Sequence, residues 1–219
     1  MATNERKRQE KIVRKSAQRK KRVQSLKSSA GPSFHSLSPA KQMPQAVEAP
    51  VYECLMPDEL FEIGIGDAVF SRKLPDGEIA VSVFLLDVYC LGVKNAFFKI
   101  LSEHEYQSLL RSISQHATLR SIDPACLRKL VEDAEAYAAD LGFSPHPDYL
   151  VSRLIFGSVD GTACSMRFEF GQDGKPLYVS GPHDTEAKSR RIIDILTKRC
   201  GPGGFHYLVA LEGPPNQSF

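Results

Sequence analysis

The longest apolar segment of the chain is Ile79 to Ile100, which reads IAVSVFLLDVYCLGVKNAFFKI. From Val83 to Leu91 every residue except Asp87 is apolar, Tyr or Cys, so no polar face alternates with an apolar one. A β-rich run of that kind predicts a strand buried on both faces, about ten residues long and ending near Val88. Upstream, Asp67 to Arg72 begins a hairpin whose turn is Leu74-Pro75-Asp76-Gly77. There Pro presets φ and Gly supplies a positive one. Between Tyr52 and Ile65 the pattern is ambiguous, with a short helix from Pro57 to Gly64 as one reading.

Gly92 allows the chain to turn, and helical periodicity begins at Ser102. Ser102 and Glu105 form a capping box, which opens a helix through about Ser114 with Tyr106, Leu109, Leu110 and Ile113 on one side. In the next helix Asp123 is the cap, Pro124 takes the first position and Gly142 follows the end. Leu127, Leu130, Val131, Ala134, Tyr137, Ala138 and Leu141 recur at i, i+3, i+4 spacing, while Glu132, Asp133, Glu135 and Asp140 mark the solvent face. FSPHPDY (143–149) is a loop stiffened by two prolines. A strand is expected over Leu150–Gly157. A second hairpin should join Cys164–Phe170 to Pro176–Ser180 around Gln172-Asp173-Gly174. Asp184 or Thr185 then caps a helix to Cys200 with inner residues Ile192, Ile195 and Leu196, and Phe205–Leu211 forms a last strand.

Strands and helices come in runs rather than strict alternation. This predicts an α+β fold with a mainly antiparallel sheet, built from two hairpins and flanking strands and packed by about three helices. The repeated Asp-Gly hairpin followed by helix hints at an internal duplication. The organisation expected is a basic arm (1–28), a Ser/Pro/Ala-rich linker (29–50), a single α+β domain (51–211) and a tail (212–219).

Charge changes the picture most. Across 219 residues the net charge is only +2, but residues 1–28 hold eleven Lys or Arg against Glu5 and Glu10. The remainder therefore holds 17 of the 28 basic residues and 24 of the 26 acidic ones. A cationic leader on an acidic body points to a polyanionic partner, nucleic acid being the usual one; the plain alternative is a solvated extension. The arm contains Arg6-Lys7-Arg8, Lys11, Arg14-Lys15 and Arg19-Lys20-Lys21-Arg22. On a helix these cations would ring most of the circumference, which suits phosphate contacts and not base reading. In a nucleated cell Arg19–Arg22 would also serve as an import signal.

Five cysteines (54, 90, 126, 164, 200) are odd in number and form no CxxC pair. This speaks against a zinc ribbon or a disulfide framework, and for reduced thiols in a cytoplasmic protein. The N-terminus lacks the apolar core of a secretory signal. It is poor in acids, as transit peptides are, but too rich in Lys and too poor in large apolar residues to fit one well. No segment reaches the ~20 apolar residues that span a bilayer, so no membrane partner is expected.

Candidate chemistry is sparse, and no cofactor is implied. Asp87 is either a metal ligand or general base at a strand end, or a turn-forming carboxylate that bonds the Tyr89–Gly92 backbone and pairs with Lys94. His146 and Asp148, with Asp160, His183 and Asp184, would suit a divalent metal for hydrolysis if the fold brings them together. No HExxH spacing fixes such a site; the plain reading is a proline-stiffened connector facing water. Ser180 to Thr185 leads into a helix followed by Lys188, Arg190 and Arg191, an ordinary cap with a basic face and not a phosphate loop. Cys90 reads as core. The aromatics near Arg167 lack the RNP1 pattern of base-stacking sheets. Three functions follow in order: a non-enzymatic nucleic-acid- or ribosome-associated binding protein using the arm; a metal-dependent hydrolase or nuclease using Asp87 with His146, Asp148 or His183; and a structural or regulatory interaction module.

Overall fold

A computed structural model describes residues 43–44, 46–182 and 184–209. The arm (1–28), His183 and the tail (212–219) lie outside the described residues.

The elements run β1 (Val51–Pro57), α1 (Leu60–Ile63), β2 (Ile65–Lys73), β3 (Ile79–Asp87), β4 (Gly92–Leu101), α2 (Glu103–Ser114), β5 (Leu119–Ser121), α3 (Pro124–Asp140) and α4 (Tyr149–Ser152). Two 3-10 turns follow (Arg153–Phe156 and Gly161–Ala163), then β6 (Leu177–Val179), α5 (Glu186–Cys200) and β7 (His206–Leu208). The first five strands form one sheet in the order β4-β3-β2-β1-β5 with every pairing antiparallel, so the fold is α+β.

β3 is the middle of three long strands, and all nine of its residues are buried. The cause is cover on both sides. Ile79, Val81 and Val83 join Val69 and Phe97 under α2, where Tyr106, Leu109 and Ile113 complete a cluster. Ala80, Phe84 and Leu86 face the other way, onto Leu127, Leu130, Val131 and Ala134 of α3. With period-2 side chains and two covered faces, the strand has no solvent-facing position, and its mid-strand Ser82 is satisfied by donating to the Ser152 carbonyl. A third, smaller cluster (Cys90, Leu141, Tyr178, Ile192, Leu196) seats α5 and the β6–β7 pair against the sheet's end.

Local signals explain why these elements start and stop. The Leu74–Gly77 turn closes β2 onto β3, with Gly77 at φ 89°. Ser102 and Glu105 make both halves of the capping box on α2. Asp123 accepts from the Ala125 and Cys126 N–H groups at the start of α3, and Thr185 caps α5.

Four expectations are corrected. Leu150–Gly157 is α4 and a 3-10 turn, not a strand: Tyr149, Ser152, Ile155 and Phe156 are buried while Leu150 and Leu154 are exposed, which is helical spacing. The second hairpin reduces to one bridge, Gln172 to Lys175; β6 pairs instead with β7, in parallel. That removes the basis for an internal duplication. The reduced-thiol expectation fails at one pair, because Cys126 and Cys164 form a disulfide with Cα atoms 4.9 Å apart. Their 38-residue separation hid it; the Gly161–Ala163 turn folds back on the start of α3 and brings them together. Cys54 and Cys90 are free and buried, and Cys200 is free and half-buried.

Finally, packing begins upstream of Val51. Met43, Ala46 and Ala49, inside the 29–50 segment, are buried in the main cluster. Arg72 explains this. Its buried guanidinium donates to the carbonyls of Ala49, Ile155 and Phe156, and so clamps the entering chain to the 3-10 turn.

Candidate functional site

Asp87 ends β3, where it pairs with Gly92 at the turn that leads into β4. A β-bulge between Leu85 and Leu86 leaves Lys94 as the extra residue of β4. Bulges re-aim side chains, and here the Lys94 ammonium reaches Asp87 Oδ2 at 3.2 Å. Asp87 Oδ1 accepts from the Tyr89 and Cys90 N–H groups at 3.2 and 2.9 Å. The side chains of Lys94 and Asp87 are 7% and 8% exposed. Both carboxylate oxygens are therefore engaged in closing the turn and neutralising a buried cation. This is the turn-forming geometry, with Lys94 as the partner.

The neighbouring turn depends on the same packing. Tyr89 lays its ring over Gly64 and donates its hydroxyl to the carbonyls of Phe61 and Glu62. Gly64 has φ 81°, and a Cβ there would lie 2.1 Å from the Tyr89 ring.

His146 and Asp148 are placed by the proline loop. The His146 N–H donates to the Val93 carbonyl, which ties the loop to β4. His146 Nδ1 accepts from the Asp148 N–H at 3.2 Å and stands 3.9 Å from Asp148 Oδ2. The two form a local pair within the loop. Asp160 is spent on a turn: its Oδ1 accepts from the Thr162 N–H and hydroxyl, bonds that hold its carboxyl below the usual range. Asp184, with a side chain 1% exposed, accepts from the Gly181 N–H, the Tyr178 hydroxyl and Lys188. Among the described residues no group of three or more His, Cys, Asp or Glu side chains is placed to hold a metal ion. His183, the remaining member of the hydrolase set, lies outside the described residues, as do all ten arm cations from Arg6 to Arg22.

The other chemical candidates serve the core. Burial raises the Cys90 thiol far above its ordinary value, and raises Cys54 to about 12. Phe168 stacks on Phe61 and Phe170 on Tyr137, so these aromatics lean on the body.

One constellation was not legible as a unit. Lys94, His146, Lys188 and Arg191, from β4, the proline loop and α5, line a common cleft. The sequence marked the loop and the basic start of α5 separately; nothing in either stretch signals that they face each other. No helix among the described residues is long and apolar enough to cross a membrane. Comparison of the chain with family models, with curated proteins and with solved structures finds no match.

Proposed function

We propose that this is a non-enzymatic binding protein that holds nucleic-acid phosphate with residues 1–28 and uses the α+β body as a rigid platform. The observation that carries it is charge segregation: eleven cations against two acids in the leader, on a remainder in which acids outnumber bases. A polyanion neutralised by such a leader releases condensed counterions, and that release supplies the affinity.

The body's geometry supports the same reading. Asp87, on which the hydrolase alternative turns, commits both oxygens to the fold. Arg72 fixes the chain at Ala49. Residue 28 lies fifteen positions before Met43, a reach of at most about 50 Å for an extended chain.

The test uses the full chain and a variant with Arg19, Lys20, Lys21 and Arg22 changed to Glu. Fluorescence anisotropy with a labelled duplex and a labelled single strand should show at least a hundredfold loss of affinity, with an unchanged thermal transition. Retained affinity in the variant would remove the proposal.

A further inference from the structure

The structure contains a second candidate for anion recognition, distant in sequence from the leader. A cleft of about 430 Å³ opens between the start of β4, the Gly142–Pro147 loop and the first half of α5. That volume falls within the ~300–1,000 Å³ typical of small-molecule sites. Leu91, Val93, Phe143, Ile192 and Ile195 give it an apolar floor, and Lys94, His146, Lys188 and Arg191 give it its polar groups.

Among the described residues that line it none is acidic. This is notable on a body whose acids outnumber its bases. The trough around Phe61 and Phe168 provides the contrast: it sets Arg120 and Arg167 against Glu62, Glu169 and Asp173.

The cations differ in availability. Lys94 is neutralised from behind by Asp87, and Lys188 by Asp184. Each ammonium carries three N–H donors, so donors remain after one ion pair. Arg191 is exposed, and its side chain makes no hydrogen bond or ion pair with a described residue. Its guanidinium offers a bidentate fork for a carboxylate, sulfonate or phosphate. The proline loop keeps one wall in place through the His146–Val93 bond.

We infer that this cleft binds a small organic anion: one anionic headgroup held at Arg191 and Lys188, on an aliphatic or aromatic body that covers Val93, Phe143 and Ile195. The inference is independent of the leader and of nucleic acid.

Binding is tested on the full chain with 8-anilinonaphthalene-1-sulfonate, followed by fluorescence and by amide NMR shifts. Saturable binding with shifts at Val93–Lys94 and Phe143–His146 is expected. Arg191→Glu should weaken it at least tenfold. Arg190→Glu makes the same charge change on the same helix, but Arg190 does not line the cleft and pairs with Glu186. It should change binding less than twofold. N-phenyl-1-naphthylamine, which lacks the sulfonate, should bind at least tenfold more weakly, and millimolar inorganic phosphate should not displace the probe. Equal binding of the neutral compound, displacement by phosphate alone, equal effects of the two arginine variants, or shifts confined to residues 166–174 would each overturn the inference.

Discussion

Replacing Asp87 with asparagine leaves the shape of the β3–β4 turn and removes only its charge. The amide oxygen can still accept from Tyr89 and Cys90, but the Lys94 ammonium, 7% exposed, loses its counter-ion. Breaking a buried pair from one side costs about 3–5 kcal/mol. Asp87→Asn should fall at the lower end, near 3 kcal/mol, because its backbone bonds survive. Asp87→Ala should lose about 5 kcal/mol, since two buried N–H groups also go unpaired at about 1–3 kcal/mol each and such terms do not add fully. In Asp87→Asn/Lys94→Met the uncompensated charge is gone, and stability should return to within about 1 kcal/mol of the parent. Urea unfolding followed by circular dichroism measures all three, with an unchanged m-value as the control. Nucleic-acid affinity should be the same in the parent and the double variant. If Asp87→Asn unfolds within about 0.5 kcal/mol of the parent, the pair is not a structural lock.

Other contacts of the fold carry their own outcomes. Arg72→Leu leaves the Ala49, Ile155 and Phe156 carbonyls without their donor, and should cost at least about 3 kcal/mol; hydrogen exchange should speed up first at residues 46–49 and 153–157, and uniform acceleration would contradict the clamp. The Cys126–Cys164 bond closes a 38-residue loop, worth about 4 kcal/mol of chain entropy; a thermal transition that is the same with and without reductant would deny it. Burial raises Cys54 and Tyr149 to about 12 in the folded chain, from ordinary values of 9.0 and 10.0. Between those values and about 12 the unfolded chain gives up protons that the native one keeps. Stability from these groups is therefore complete below pH 9 and falls as pH rises toward 12, which denaturant melts across that window will show. At pH 8 iodoacetamide should modify Cys200 well before Cys54 or Cys90, as read by peptide mass mapping.

Elements with their own punctuation were readable in the sequence. Pro75-Asp76-Gly77, the Ser102–Glu105 box and Asp123-Pro124 each fix backbone geometry within four residues, and β2–β3, α2 and α3 stand where those signals put them. β3 was legible for a different reason: burial on both faces leaves a mostly apolar run with no alternating polar face. What failed was decided by distant contacts. Gln172–Lys175 does turn, with Asp173 at φ 53° and Gly174 at φ 77°. The arm before it is nevertheless held on α3 by Cys164 and on Phe61 and Tyr137 by Phe168 and Phe170, so it cannot pair with 176–180. Short apolar runs such as Leu150–Phe156 fit strand or helix equally, and tertiary burial chose helix. At the candidate site, Asp87 and Lys94 were legible as a turn and its partner. The bulge that aims Lys94 was not, since it is a property of register with β3. The cleft joins three segments from 91 to 195, and only the fold sets them side by side.

The salt dependence of nucleic-acid affinity tests the charge-segregation claim most directly. For duplex DNA, log K against log salt has a slope of about −0.9 per phosphate neutralised. With eleven cations available in residues 1–28, engagement of about six phosphates gives the full chain a slope near −5. The expected result is that slope in the full chain, falling toward −1 when Arg19–Arg22 are changed to Glu. A slope shallower than about −1 in the full chain, or one that the charge reversal leaves unchanged, would contradict the account.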